Sequence, residues 1–261
     1  DVRWLFYRLW EKYWAFADSH FVTQFQIDLE ARFWEMYLTV FISQSHEVKS
    51  ASHGPDIEII RDGKSFAWVE AVTATPGAAG HPDSVPEMDF SREEAAAAFE
   101  DKIIMRLTSA LKTKVDKHER YVRDGVVKTS EPFVVAINDA PIKWMGDPYN
   151  ERILKALFPI GDEYLVFDEN YGKLSRSQFS YRNYIEKNNG SRVFVDSFLN
   201  PENEMVSGVI YSSKNFSNLP KNHGEEMVFV HNPFAKNPLG YGLFKVGEEY
   251  RCSITGDKAL I

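Results

Sequence analysis

The chain carries Gly54-Pro55-Asp56-Ile57-Glu58-Ile59-Ile60 and, after a short break, Phe66-Ala67-Trp68-Val69-Glu70-Ala71-Val72. Both runs have strand length and alternate or stay apolar, and Arg61-Asp62-Gly63-Lys64 between them contains the Asp-Gly pair of a tight hairpin turn. Successive strand side chains point to opposite faces, so Asp56 and Glu58 share one face, and Glu70 shares a face with Trp68 and Val72. Antiparallel pairing then brings Asp56 and Glu70 together at one edge of a sheet. Two carboxylates meeting there repel unless a positive charge lies between them. Oxygen ligands without a cysteine or histidine cluster point to magnesium or manganese rather than zinc.

Pro55-Asp56 on one strand and Glu70-Ala71-Val72 on the next resemble the PD-(D/E)XK nuclease superfamily, the fold of many restriction endonucleases. The resemblance spans residues from about 30 to 140. It implies an α/β chain with a restriction-endonuclease-like αββαβ core and a mixed central sheet. A glutamate on the helix before the sheet is also implied, and Glu35, within Ala31-Arg32-Phe33-Trp34-Glu35-Met36-Tyr37-Leu38, fits that place. On this reading Asp56, Glu70 and the carbonyl of Ala71 hold one or two Mg2+ (or Mn2+) ions, and Glu35 binds the second ion or orients its water. One position departs from the pattern: Val72 stands where the superfamily normally has lysine. In several of its branches a lysine from the following helix takes over.

Residues 1–45 read as helical, with apolar and aromatic residues recurring every three or four positions. Trp4, Trp10, Trp14 and Trp34 fall here; packing into the core is the favoured reading, over a base-stacking platform or a dimer surface. Residues 75–86 form a loop dense in Pro and Gly, either a cover over bound substrate or a loose insertion. Ser91-Arg92-Glu93-Glu94 reads as a capping box for a helix towards Arg123, stopped at Gly125 and long enough to be broken in two. At 100° per residue Ile103, Leu107, Ala110, Leu111, Tyr121 and Val122 make its apolar arc. Lys114 projects inside that arc, Arg106 and Lys117 border it, and Lys112 lies almost opposite. A lysine in an apolar stripe needs an anion. Lys114 is therefore the expected substitute for the motif lysine, Lys117 the second choice, and Arg106 a phosphate contact. Residues 101–128 are also the most basic part of the chain, which by itself describes a solvated helix surface.

Pro132-Phe133-Val134-Val135-Ala136-Ile137-Asn138 predicts a buried central strand. Beyond it the pattern turns to strands, at residues 163–167, 192–198, 205–212 and 227–230. The expectation is one domain over 1–261, with a helical N-terminal segment, a core at about 30–140 and a strand-rich extension at about 150–261. His223 and His231-Asn232 invite comparison with HNH nucleases, but Pro233 and Pro238 disfavour the helix that motif needs.

Lys and Arg total 30 against 38 Asp and Glu, a net charge of −8, which argues against a protein that coats nucleic acid but leaves room for a local basic groove. The single cysteine, Cys252, rules out an intramolecular disulfide and suits the reducing cytoplasm. No uncharged run approaches the length of a membrane span, and because residue 1 is Asp rather than Met, a leader would go unseen. Together with the resemblance these features predict a cytoplasmic, metal-dependent nuclease that hydrolyses phosphodiester bonds, with DNA as the expected nucleic-acid partner, a restriction or defence role, no membrane contact and a homodimer left open. The alternative is a catalytically inactive protein of the same fold that binds nucleic acid or serves assembly.

Overall fold

Asp62 and Gly63 both adopt positive φ, 53° and 71°, the paired left-handed conformations of the turn that suits a twisted hairpin. In this computed structural model, which describes residues 2–50, 53–86, 96–142, 151–167, 174–255 and 258–260, the turn joins two long antiparallel strands at one side of a seven-stranded sheet.

Three helices come first: α1 (Val2–Tyr13), α2 (Phe21–Ile27) and α3 (Leu29–Ser43). The strands β1 (Glu47–Ser50), β2 (Ile57–Arg61) and β3 (Lys64–Thr73) follow as an antiparallel meander. Helix α4 (Ala96–Arg123) then crosses over to β4 (Phe133–Asn138), which lies parallel to β3. With β1 added at the edge before β2, the order α3-β2-β3-α4-β4 contains the αββαβ sequence expected. Next come α5 (Glu151–Leu157), the hairpin β5 (Ile160–Phe167) with β6 (Leu174–Tyr181), and the short pair β7 (Tyr184–Glu186) with β8 (Arg192–Phe194). Finally β9 (Val206–Ser212), β10 (Val228–His231) and β11 (Glu248–Tyr250) return to the main sheet. There β9 is parallel to β4, β10 antiparallel to β9, and β11 parallel to β10. The molecule is thus α/β, with a mixed central sheet, a helical N-terminal segment and a strand-rich C-terminal half.

The sheet is covered on both faces, and β4 at its centre is buried at every position. Val134 and Ala136 face α1 and α3, where Trp34, Tyr37, Ile210 and Phe229 pack. Phe133, Val135 and Ile137 face α4 and meet Ile103, Leu107 and Leu111. A continuously apolar strand is what a parallel sheet buried on both sides requires.

Helix α4 runs unbroken to Arg123. It ends at Gly125, φ 75°, where Gly125 N–H donates to Val122 O and Val126 N–H to Tyr121 O, the paired bonds of a Schellman cap. The capping box at Ser91–Glu94 lies outside the described residues. Strand formation at 192–198 stops at Phe194. The expectation that the N-terminal tryptophans fill the core holds only for Trp34, whose Nε1 donates to Ala136 O at 3.0 Å. Trp4 and Trp14 are exposed and Trp10 borders on it. Helix α1 already seats Leu9 and Tyr13 inward, and one helix face has no room for every aromatic residue it carries. Among the described residues no helix is long and apolar enough to cross a membrane.

Candidate active site

Pro55 directs the chain into β2 so that Asp56 stands just before its first residue. Because Ile57 pairs with Val69, the next step outward sets Asp56 opposite Glu70 on β3. Asp56 Oδ2 accepts the Ala71 N–H at 2.7 Å, which ties the two strands together at this point. Glu70 shares its face with Trp68 and Val72 and points towards α4. Its side chain is 0% exposed, so it needs charge partners.

Helix α4 supplies them from one stripe. Lys114, Lys117 and Tyr121 are three and four residues apart and therefore lie on the same side. Lys114 Nζ and Lys117 Nζ each donate to Glu70 Oε1 at 2.7 Å, and Tyr121 OH donates to Oε2 at 3.3 Å. The stripe is held in register by Ile103, Leu107, Leu111 and Val115, packed on the sheet below. Lys114 is the more deeply buried amine; Lys117 is more open and lies 5.4 Å from the centre of the Tyr121 ring. Burial by itself lowers the Lys117 pKa, but the charge and hydrogen bond of Glu70 outweigh it and hold the ammonium above its ordinary range. Burial raises Tyr121 to about 12, so its phenol keeps its proton.

Glu35 reaches the same region from the far side of the sheet. Trp34 and Tyr37 anchor α3 in the core, and Asp28 caps its start by accepting the Ala31 N–H at 3.0 Å. Glu35 is held by Arg32 and by Tyr13 OH, the latter at 2.8 Å. Its pKa is raised, first by burial; Arg32 and Tyr13 oppose this, while Asp18 and Glu70 add to it. Asp56 is pushed up to about 7 by burial, then by the charges of Glu70 and Glu35, with Lys114 and the Ala71 N–H pulling the other way. Glu35, Asp56, Glu70 and Lys114 thus form one electrostatic unit drawn from α3, β2, β3 and α4.

No family model, curated protein or solved structure matches this chain.

Of the residues singled out from the sequence, Arg106 does not join this unit. Its Nε donates to Thr75 O at 2.7 Å, so it fastens the loop that leaves β3. That loop is tied again where Asn188, between β7 and β8, bonds to Asp83 and Pro82. Lys112 is exposed and pairs with Asp116, as its place opposite the arc predicts. His231 bonds to Glu249, and Asn232 to the Asn203 and Val206 carbonyls, which are structural roles. Tyr121, Tyr13 and Arg32 were missed as site residues. Tyr121 carried a signal, since it follows Lys114 and Lys117 at helical spacing; Tyr13 carried none, because its approach to Glu35 depends on how α1 crosses α3.

Among the described residues no three His, Cys, Asp or Glu side chains gather as a metal centre. Magnesium needs only one or two carboxylates and keeps several waters. Asp56 Oδ1 accepts no hydrogen bond from the described residues, and Glu70 Oε2 has only the long bond from Tyr121. The raised pKa of Asp56 marks a place where added positive charge is favoured. This donor set fits a hard divalent cation.

Proposed function

We propose that this protein is a metal-dependent nuclease of the PD-(D/E)XK type, cytoplasmic and acting on DNA, in which the lysine absent from β3 is supplied by α4. The observation that carries this reading is Lys114: its amine lies 2.7 Å from Glu70 Oε1, on the face where Val72 leaves the motif without one.

Asp56 and Glu70, with the carbonyl of Ala71, would hold magnesium or manganese, and Glu35 would order water beside them. The chemistry such an ion supplies when bound is acidification of a water and neutralisation of phosphate charge. Lys114, fixed by Glu70 and largely shielded from solvent, would present its ammonium to the negative charge that develops on the phosphate. Lys117, more open, would donate to a non-bridging phosphate oxygen. Lys102, Arg120 and Arg123 extend the positive charge along α4, which suits a polyanion despite the acidic whole. A restriction or defence role follows from the family alone.

A second reading is favoured by the ion pairs that Glu70 already makes through Oε1. Two ammonium groups on Oε1 and a phenol on Oε2 already hold its charge, as in a buried ion cluster that only joins α4 to the sheet. The protein would then be a non-catalytic nucleic-acid-binding or assembly module.

Cleavage of duplex DNA with magnesium decides between them. Asp56→Ala is expected to abolish cleavage with the fold intact. Lys114→Met is expected to lower turnover at least tenfold with little loss of DNA affinity, whereas Lys112→Met retains full turnover. Undiminished cleavage by purified Asp56→Ala protein would remove the nuclease assignment.

A further inference from the structure

Tyr13 is the last residue of α1 and is buried. A buried hydroxyl needs a hydrogen-bond partner, and this one finds it on another element: Tyr13 OH donates to Glu35 Oε1 at 2.8 Å. The ring is held in place by Phe21, 4.7 Å between centres. Seven residues earlier Phe6 meets Phe33 of α3 edge-on at 5.5 Å, so α1 is fastened to α3 at two points. The other oxygen of Glu35, Oε2, accepts from Arg32, three residues before it on the same helix.

Each carboxylate oxygen has two lone pairs. Tyr13 takes one on Oε1 and Arg32 one on Oε2, which leaves a single accepting direction on each oxygen. A water molecule bound to an ion needs only one of these. Direct ligation would instead bring the ion towards the Arg32 guanidinium, and like charges repel. Magnesium keeps several of its waters, so a carboxylate held in this way can serve the ion without touching it. Glu35 is close enough for its charge to act on Asp56.

Helix α3 supplies an internal comparison. Tyr37 is as deeply buried as Tyr13 and likewise donates to a carboxylate, that of Glu226 in the segment before β10. Two residues beyond Glu35, it projects about 200° round the helix. The two bonds are alike in chemistry. That of Tyr37 ties α3 to the C-terminal half, whereas that of Tyr13 fixes the carboxylate that acts on Asp56.

We propose that Tyr13 is a positioning residue: with Arg32 it fixes Glu35 so that the carboxylate accepts from water on the ion held by Asp56 and Glu70. Helix α1, which lies outside the αββαβ core, thereby completes the site. This rests on the metal site of the nuclease reading.

Calorimetric titration of Mn2+ into the metal-free protein tests it without reference to cleavage. Tyr13→Phe keeps the buried ring and removes the donor. It is expected to weaken Mn2+ binding about tenfold, the lower end of what outer partners of a metal site contribute. On duplex DNA it should lower kcat by about the same factor and leave KM nearly unchanged. Tyr37→Phe should lose comparable stability in urea and keep the Mn2+ affinity of the wild type. Glu35→Ala should weaken Mn2+ binding at least as much as Tyr13→Phe, and adding Tyr13→Phe to it should change little more, because the phenol then has nothing to position. Wild-type Mn2+ affinity in Tyr13→Phe overturns the proposal and leaves the nuclease reading standing. Equal losses of affinity in Tyr13→Phe and Tyr37→Phe overturn it as well, and so does a full further loss when Tyr13→Phe is added to Glu35→Ala. Wild-type affinity in Glu35→Ala overturns it even where Tyr13→Phe misfolds. A wild type that binds no Mn2+ overturns both readings. One that binds Mn2+ without cutting DNA overturns the nuclease reading alone, and the Mn2+ affinities of the variants still decide the role of Tyr13.

Discussion

Asp56 and His118 respond to pH in opposite directions, and both responses originate in burial. The pKa of Asp56 is raised from 3.8 to about 7, so folding favours its protonated form. Its contribution to stability is fully present below pH 3.8 and is lost as pH rises through 7. In Asp56→Asn that dependence should vanish, leaving the metal-free variant more stable than wild type above pH 7 in urea titrations. His118 lies on α4 against the Phe133 ring, 4.3 Å between centres, with Nε2 lacking a hydrogen-bond partner among the described residues. Burial lowers its pKa from 6.5 to about 4. Its contribution is present above pH 6.5 and is lost as pH falls through 4. His118→Leu should therefore resist unfolding between pH 6.5 and 4 better than wild type; equal acid midpoints would count against an uncharged, unpartnered imidazole.

Elements differ in how far local chemistry determined them. The hairpin was legible because Asp62 and Gly63 specify its turn within four residues, and period-two alternation specifies which carboxylates share a face. Helix α4 was legible for a similar reason: its period placed Lys114 inward and Lys112 outward, and Gly125 marked its stop. That stop carries a prediction. At φ 75° alanine is strained, so Gly125→Ala should cost about 1 kcal/mol and lower Tm by roughly 2–4 °C, read by calorimetry. Helix α1 was legible as a helix but its tryptophans were misplaced, because hydrophobic spacing alone does not say which apolar residues of a helix reach the core. The bond of Arg106 to Thr75 left no sequence trace, because Thr75 sits on a loop whose path no pattern specifies.

At the scale of the molecule, the core expected at about 30–140 and the extension expected beyond 150 share one sheet. Strand β9 joins β4 from beyond it, with Val135 beside Val209 and Ile137 beside Tyr211. Pairing between distant segments leaves no local trace, so the apolar run at 205–212 predicted a strand and not its neighbour. On its other side β9 packs against β10 at Gly208, where an added Cβ would stand 2.6 Å from the Phe229 ring and 2.8 Å from Val230 O. Gly208→Val should destabilise the protein by roughly 3 kcal/mol, seen as lost soluble yield and a lower urea midpoint. Gly240→Ala, with nothing within 4 Å of the new carbon, serves as the neutral control.

The parallel pairing of β4 with β9 also sets an order of events during synthesis. Strand β4 leaves the ribosome with every side chain apolar or uncharged, and one edge can pair early with β3 across α4. The other edge waits until β9 has emerged. Until then a row of unpaired amides and carbonyls beside apolar side chains is a template for a neighbouring nascent chain. Folding should accordingly be slow for the size of the protein, because its central contact is a late one. Expression at low temperature or beside a holding chaperone should raise the soluble fraction more than any change at the surface.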